Sequence, residues 1–522
     1  MTPDMGTNII NALELVLDPT VLIVCVLSGM LGIVIGSLPG LTATLGAALV
    51  IPFTFFLDPV PAIASIITMS AMAIFAGDIP GALLRMPGTP SSAAYVSELY
   101  AYTKRGRSNV GLTIALFASV LGGLIGSIVL IFVAPLVGEF ALGFTSYEYF
   151  WVAVLGLTAA VIVSQGSQLK GAIALMVGLL ISTVGMDVSL GFPRFTFGES
   201  SLLQGVNFIP AMIGLFGLSE VIRSMTARHA TNATHLHAGP NSKGSIREAF
   251  QRIRRRPGAA LQGNATGSVV GVLPGAGADI ASWISYAIAR NRLNAKKWEK
   301  RKNGSKPQEN ETEDGPLIAA AGANNAALGS AFIPTLAFGI PGDTITAILI
   351  GVLLVKGVEP GPNLFLMNTE TLYSIYIAFI LANLLLIPLG LIAIRSSGLI
   401  LRLPRPVLMA AIIALSITGA YAINHSYLEV IIVIIMGVIG FLFERHHIPL
   451  APVVLGIVLG PIVESNFMQS VIKTNWDLSQ FFTRPVSAVL IVLTALMLTY
   501  PLLSKSIRTL TNRGTKAETA TK

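Results

Sequence analysis

Apolar residues in this chain come in long runs separated by short polar stretches. Runs long enough to cross or re-enter a bilayer lie near residues 20–36, 61–77, 109–135, 147–164, 169–186, 206–222, 260–290, 316–338, 343–355, 372–395, 406–422, 427–443, 449–462 and 486–503. Several fall short of the roughly 20 residues that a full helical span needs, and the short ones gather around Pro-Gly pairs, where broken helices or re-entrant hairpins are expected. The pattern predicts an all-α polytopic membrane protein of about 11–13 spans.

The polar interruptions set its orientation. Residues 223–258 hold Arg223, Arg228, Lys243, Arg247, Arg252 and the run Arg254-Arg255-Arg256, residues 290–315 hold eight Lys or Arg, and the tail from Lys505 is basic. The positive-inside rule places all three in the cytoplasm and the N-terminal tail, with Asp4, Glu14, Asp18 and no Lys or Arg, outside. An odd number of crossings follows. The chain is expected to be a single membrane transport domain over 1–522: a first half at 20–222, a basic cytoplasmic linker at 223–258, a second half at 259–503 containing the charged loop 290–315, and a cytoplasmic tail at 504–522.

Composition agrees. Hydrophobic residues make up 53% of the 522 and charged residues 11%, with a mean hydropathy of +0.74. The net charge of +8 is explained by orientation in the membrane, so no nucleic-acid partner is called for and the surrounding partner is lipid. Cys25, the single cysteine, lies in an apolar run, which excludes internal disulfides and Cys-rich metal sites and predicts a small buried side chain. Without a basic n-region in residues 1–20, the first span is expected to be retained. His235 and His237 in "THLH" have no neighbouring Cys or carboxylate pair and are expected to be solvated rather than metal-bound.

The chain repeats itself. "GIVIGSLPGLTAT" (Gly32 to Thr44) over "GSVVGVLPGAGAD" (Gly267 to Asp279) gives seven identities in thirteen positions. Further on, "IPGALLRMPGTPSS" from Ile79 matches "IPTLAFGIPGDTIT" from Ile333, each with Ile-Pro at its start and Pro-Gly seven residues after that proline. The loops around the first copy are non-basic, non-basic and basic; those around the second are basic, basic and nearly non-basic. Reversed charge bias predicts copies that sit upside down relative to each other, the inverted repeat of secondary transporters, whose solute sites lie at the helix breaks.

Proline removes an amide donor and glycine tolerates positive φ, so a Pro-Gly tip frees backbone groups that must face a polar cavity rather than lipid. Freed amides and helix N-termini there can hold a carboxylate, and freed carbonyls can hold Na+. The candidate solute-binding positions are therefore the tip residues Gly40, Pro87, Gly88, Gly275, Gly277, Pro341 and Gly342, with the hydroxyls of Thr42, Thr44, Thr89, Ser91 and Thr344. Ionisable residues at membrane depth are functional candidates. Arg85 pairs either with a substrate carboxylate or with one of the nearby aspartates; Asp78, Asp279 and Asp343 are candidates for the coupling ion, Na+ or H+. No other cofactor is implied. Glu139, Glu148, Asp187, Glu199 and Glu220 stand near span ends, where interfacial solvation is expected, and Trp151, Trp283, Tyr147 and Tyr149 read as interfacial anchors.

An ordered set of motifs runs over most of the chain: "GSLPGLTATLG", "MPGTPSSAA" with "KRG" downstream, "FASVLGGLIGS", "EYFWVAVLGLT", "GLLISTVGMD" followed by "RFTFG", "GVLPGAGADIASWISYA", "ANNAALGSAFIPTLAFGIPG" and "GVEPGPNLF". In these the chain resembles the large membrane subunit of tripartite tricarboxylate transporters, the TctA-type proteins. The resemblance implies ion-driven solute uptake across the bacterial inner membrane, with a small four-helix membrane subunit and a periplasmic solute-binding protein as partners. It adds Asn324 and Asn325, which match the family's Asn-Asn pair after an expected helix break and whose amides suit a carboxylate or Na+. The chain also departs from the family pattern: Gly77-Asp78 stands for Gly-Ser, Arg85 for Asn, Asp279 for Thr and Asp343 for Ser. These changes alter charge at the tips, so tricarboxylate specificity does not carry over and the expected solute is a small organic anion of the carboxylate class. An intramembrane enzyme would need a catalytic constellation, and the sequence has no His-Glu-x-x-His and no Gly-x-Ser-x-Gly with a membrane-depth His; ATP-driven transport is disfavoured because no Walker A sequence is present.

Overall fold

The computed structural model describes residues 5–163, 167–187, 191–226, 245–302, 314–401 and 405–499. His235, His237 and the basic tail from Lys505 lie outside them. The first half contains α1 (Met5–Val16), α2 (Pro19–Ser37), α3 (Ala43–Thr54), α4 (Pro59–Ala76), α5 (Asp78–Leu84), α6 (Val96–Lys104), α7 (Ser108–Leu142), α8 (Ser146–Val163), α9 (Gln168–Ser182), α10 (Phe208–Met212) and α11 (Ser219–Thr226). The second contains α12 (Ser245–Arg254), α13 (Pro257–Val272), α14 (Gly277–Lys302), α15 (Asp314–Phe338), α16 (Thr344–Val355), α17 (Leu364–Met367), α18 (Thr369–Ile400), α19 (Arg405–Asn424), α20 (Tyr427–Arg445), α21 (Ala451–Lys473), α22 (Gln480–Thr483) and α23 (Pro485–Thr499). A π-helical segment, Ile213–Leu218, joins α10 to α11, and one short antiparallel pair, Gly185–Met186 with Pro193–Arg194, is the sheet among the described residues.

Nine helices among the described residues are long and apolar enough to cross a membrane, and five shorter apolar helices accompany them. The chain is a multi-pass, all-α membrane protein. Local chemistry sets the helix starts: Asp18 accepts the Thr20 amide at 2.8 Å ahead of Pro19, and Pro59 and Pro257 open α4 and α13 at the first turn, where no donor is lost. The apolar run 260–290 is two helices, because Leu273 turns extended and Pro274-Gly275 breaks the run. Helix α3 was hidden in the sequence by its short length and by Pro52 inside it.

The chain forms two compact units. The first comprises Met1–Leu142 and Val206–His446. At its centre α15 is wholly buried, packed against α7, α13 and α14. It comes close because glycines remove the intervening side chains: a Cβ at Gly122 or Gly126 of α7 would lie within 3.0 Å of the Gly322 or Ala326 carbonyl. Cys25 is buried, as expected.

The second unit comprises Gly143–Gly205 and His447–Lys522. Here Glu148 departs from interfacial solvation: it is 3% exposed, accepts the Thr145 amide at 2.8 Å and pairs with Arg484 at 2.9 Å. Desolvation is offset by those partners, and a buried paired charge is the result. Tyr147 is likewise buried, edge-on to Phe481, and Trp151 donates to the Phe481 carbonyl at 3.0 Å. Arg194 forks onto Glu464 at 2.6 and 3.0 Å.

Candidate functional site

The two sequence copies fold alike, position by position. Each first tip ends its entering helix on an extended leucine, Leu38 or Leu273, with the same pair of turn bonds: Leu38 to Ile35 and Leu41 to Leu38 in one, Leu273 to Val270 and Ala276 to Leu273 in the other. The glycine that follows the proline takes positive φ in both, 94° at Gly40 and 79° at Gly275. The entering helices dock identically as well. Gly32 and Gly36 sit on the carbonyls of Met69 and Ala73, and their counterparts Gly267 and Gly271 on those of Ala323 and Ala327, which occupy the matching positions of the second motif.

The second tips repeat in the same detail. Met86 and Ile340 donate to the carbonyls of Pro80 and Pro334, both at 3.3 Å. The preceding residue is left-handed in each, Arg85 at φ 58° and Gly339 at φ 69°. Beyond Pro-Gly a reciprocal box closes. In the second copy the Asp343 carboxylate accepts the Thr346 amide while Thr346 Oγ1 accepts the Asp343 amide, each at 2.8 Å. In the first copy Thr89 and Ser92 exchange the same pair of bonds at 3.3 and 3.2 Å. This is the capping-box exchange, built from a hydroxyl in one copy and a carboxylate in the other.

The tips meet. Thr44 and Thr344 hydroxyls lie 2.9 Å apart although 300 positions separate them. The Gly275 amide donates to the Gly342 carbonyl at 2.8 Å, and Gly277 is packed against the Asp343 side chain. Across the copies, Ser282 of α14 donates to the Ser91 carbonyl and Trp283 to the Pro90 carbonyl, both at 3.1 Å. Trp283 is thus a fastener between copies as well as a partly exposed aromatic. Thr42 caps α3 by accepting the Leu45 amide at 3.1 Å.

Within this assembly Thr42, Thr44, Gly275, Asp279, Asp343 and Thr344 are half-buried, whereas Thr89, Ser91, Asn324 and Asn325 are buried. The half-buried group contains the N-termini of α3, α14 and α16. Asp279 faces Ser91 and Asp343. Deeper, Asp78 is fully buried, and the Tyr95 hydroxyl stands between it and Asn324. Neither Asp78 oxygen completes a hydrogen bond among the described residues, nor does Asn324 Oδ1, nor either end of the Asn325 amide. Buried polar atoms left unpaired are costly, and several of them are gathered here around the Tyr95 hydroxyl.

Some expected residues stand apart. Arg85 is exposed at the end of α5, its guanidinium 5.8 Å from the Tyr100 ring. Gly40 is exposed and its carbonyl accepts from Arg223 at 2.8 Å, with Arg223 also paired to Glu220, so Glu220 too is in an ion pair. Pro87 is exposed while Gly88 is buried against the Gly36 carbonyl. The helix break expected ahead of Asn324 is absent: α15 runs unbroken from Asp314 to Phe338, and Gly322 is there because a side chain would strike Asn264. Sequence reading did not select Tyr95.

Paired helix breaks enclosing unpaired polar groups in an all-α bundle define a membrane protein with an internal polar site. The chain belongs to the family described as "Tripartite tricarboxylate transporter TctA family", whose sequence profile it matches over residues 22–455. It is therefore the membrane component of a tripartite transport system, a class that works with further subunits and a binding protein. Two relatives come from Agrobacterium vitis. One, "Uncharacterized 52.8 kDa protein in TAR-I ttuC' 3'region", is 32% identical over 491 residues, 94% of each chain. The other, "Uncharacterized protein in TAR-II ttuC' 3'region", is 33% identical over 228 residues, 43% of this chain and 89% of its own length. No solved structure matches the chain.

Proposed function

We propose that this protein imports a small organic anion of the carboxylate class across the bacterial inner membrane, driven by a Na+ or H+ gradient. In this reading a periplasmic solute-binding protein delivers the solute, a small four-helix membrane subunit completes the complex, the N-terminus is periplasmic and the C-terminus cytoplasmic. The two copies act as inverted halves. The observation that carries the reading is the Thr44–Thr344 contact, which joins the N-termini of α3 and α16 from opposite copies beside half-buried Asp279 and Asp343. Helix N-termini and hydroxyls favour a carboxylate, and the aspartates and unpaired amide oxygens favour a cation. Asp78, Asp279 and Asp343 are the coupling-ion candidates on this account, with the tip amides, Thr42, Thr44, Thr344 and the Asn324-Asn325 pair as solute ligands.

Uptake of labelled mono-, di- and tricarboxylates by the reconstituted tripartite complex, with and without an imposed Na+ or pH gradient, tests the proposal. Gradient-stimulated accumulation of one of these acids is expected. Flux indifferent to both gradients, or no carboxylate flux at all, counts against it.

A further inference from the structure

Helix α12 is not one of the apolar helices, yet its inner face is fixed to the ends of two membrane-spanning ones. Ala249 is buried, Arg252 pairs with Asp314 at 3.0 Å and Glu248 at 2.8 Å, and Glu248 also pairs with Arg107. Asp314 is the first residue of α15 and Arg107 directly precedes α7, so α12 is held at the level where both spans begin. Ends of membrane-crossing helices meet the bilayer at its headgroups, so α12 is taken to lie at that depth.

The outer face has a different composition. Ile246, Phe250 and Arg254 follow one another at four-residue spacing, with Arg247 and Arg255 alongside, and all five are exposed. Phe250 is 62% exposed. The acid on this helix, Glu248, is turned inward to its arginine partners, so the outward charge is positive throughout. An apolar ridge flanked by arginines at headgroup depth matches the two parts of an anionic lipid: the acyl-chain boundary and the phosphate.

We propose that the outer face of α12 is a binding site for anionic phospholipid, with Ile246 and Phe250 at the top of the acyl chains and Arg247, Arg254 and Arg255 on the headgroup phosphate. Because the inner face ties Arg107 to Asp314, a lipid seated outside also steadies the join between α7 and α15.

The full-length protein in detergent, offered phosphatidylglycerol or phosphatidylcholine, provides the test by native mass spectrometry. Preferential retention of phosphatidylglycerol is expected, weakening by about fivefold for each arginine replaced in Arg247→Gln, Arg254→Gln and Arg255→Gln, and by on the order of a hundredfold for all three. Phe250→Ser should weaken retention of both lipids. Retention by the unaltered protein should fall as salt is raised, a measurement that depends on no variant. Equal retention of the two lipids, salt-independent retention, or a triple variant that keeps its phosphatidylglycerol would overturn the assignment. So would loss of a co-purifying small membrane subunit from the triple variant with lipid retention unchanged, which would give the face to a protein partner.

Discussion

The first and second copies of the tip motif have one backbone and two chemistries. At the left-handed position Gly339 is free of steric cost, while Arg85 carries a side chain there and lays it over Tyr100. In the capping box, Thr89 does with a hydroxyl what Asp343 does with a carboxylate. After the first tip Thr44 stands where the second copy has Asp279. The backbone geometry of the breaks is shared, while charge differs both inside, at Asp279 and Asp343, and on the surface, at Arg85. At α14 and α16 the second copy carries an acid, Asp279 or Asp343, where the first copy has Thr44 or Thr89, so the N-terminus of α3 is the more hospitable of the three to an anion.

The largest effects should come from the shared geometry. A Cβ at Gly36 or Gly271 would fall within 3.0 Å of a partner helix's backbone carbonyl, so Gly36→Val and Gly271→Val should each destabilise by about 3 kcal/mol or more, read as loss of the folded peak on heating in detergent. Gly258→Ala, with open space around it, should move stability by less than about 0.5 kcal/mol. A mild Gly271→Val beside a severe Gly36→Val would break the equivalence of the copies.

The boxes come next. Asp343→Ala should cost about 1 kcal/mol, and up to about 2 kcal/mol, by removing a helix cap, and Thr89→Ala about 1 kcal/mol by breaking its bond to the Ser92 amide. Asp343→Ser sharpens the comparison, because serine caps as well as aspartate: stability should hold while the cation dependence of uptake changes. Unchanged cation dependence would reduce Asp343 to a cap.

The left-handed positions give effects no larger than those of the boxes, and at Arg85 smaller. Gly339→Ala should cost about 1–2 kcal/mol in backbone strain. Arg85→Gly should be close to neutral, since relief of similar strain is offset by losing a cation–π contact worth about 0.5–1 kcal/mol. Thermal unfolding of the two variants side by side checks the pair, and a large loss in Arg85→Gly would show that its side chain anchors the tip.

The repeat and its breaks were legible in the sequence because Pro-Gly chemistry is local: Pro39-Gly40 and Pro274-Gly275 can do little else inside an apolar run. The second boxes were half legible, since Thr-Pro-Ser-Ser and Asp-Thr-Ile-Thr carry capping residues at the right spacing. What the sequence could not show depends on distant partners. Nothing near Glu148 foretells Arg484, and nothing near Thr44 foretells Thr344. The break expected before Asn324 is absent because α15 is continuous there, and Gly322 serves close packing against Asn264 inside the helix.

The claim that the two tips form one site is tested most directly by joining them. With Cys25→Ser as background, Thr44→Cys and Thr344→Cys together should cross-link under mild oxidation, and the cross-link should abolish whatever gradient-driven uptake the same double variant shows when reduced. Failure to cross-link in the folded protein, or full uptake with the cross-link in place, would contradict the account.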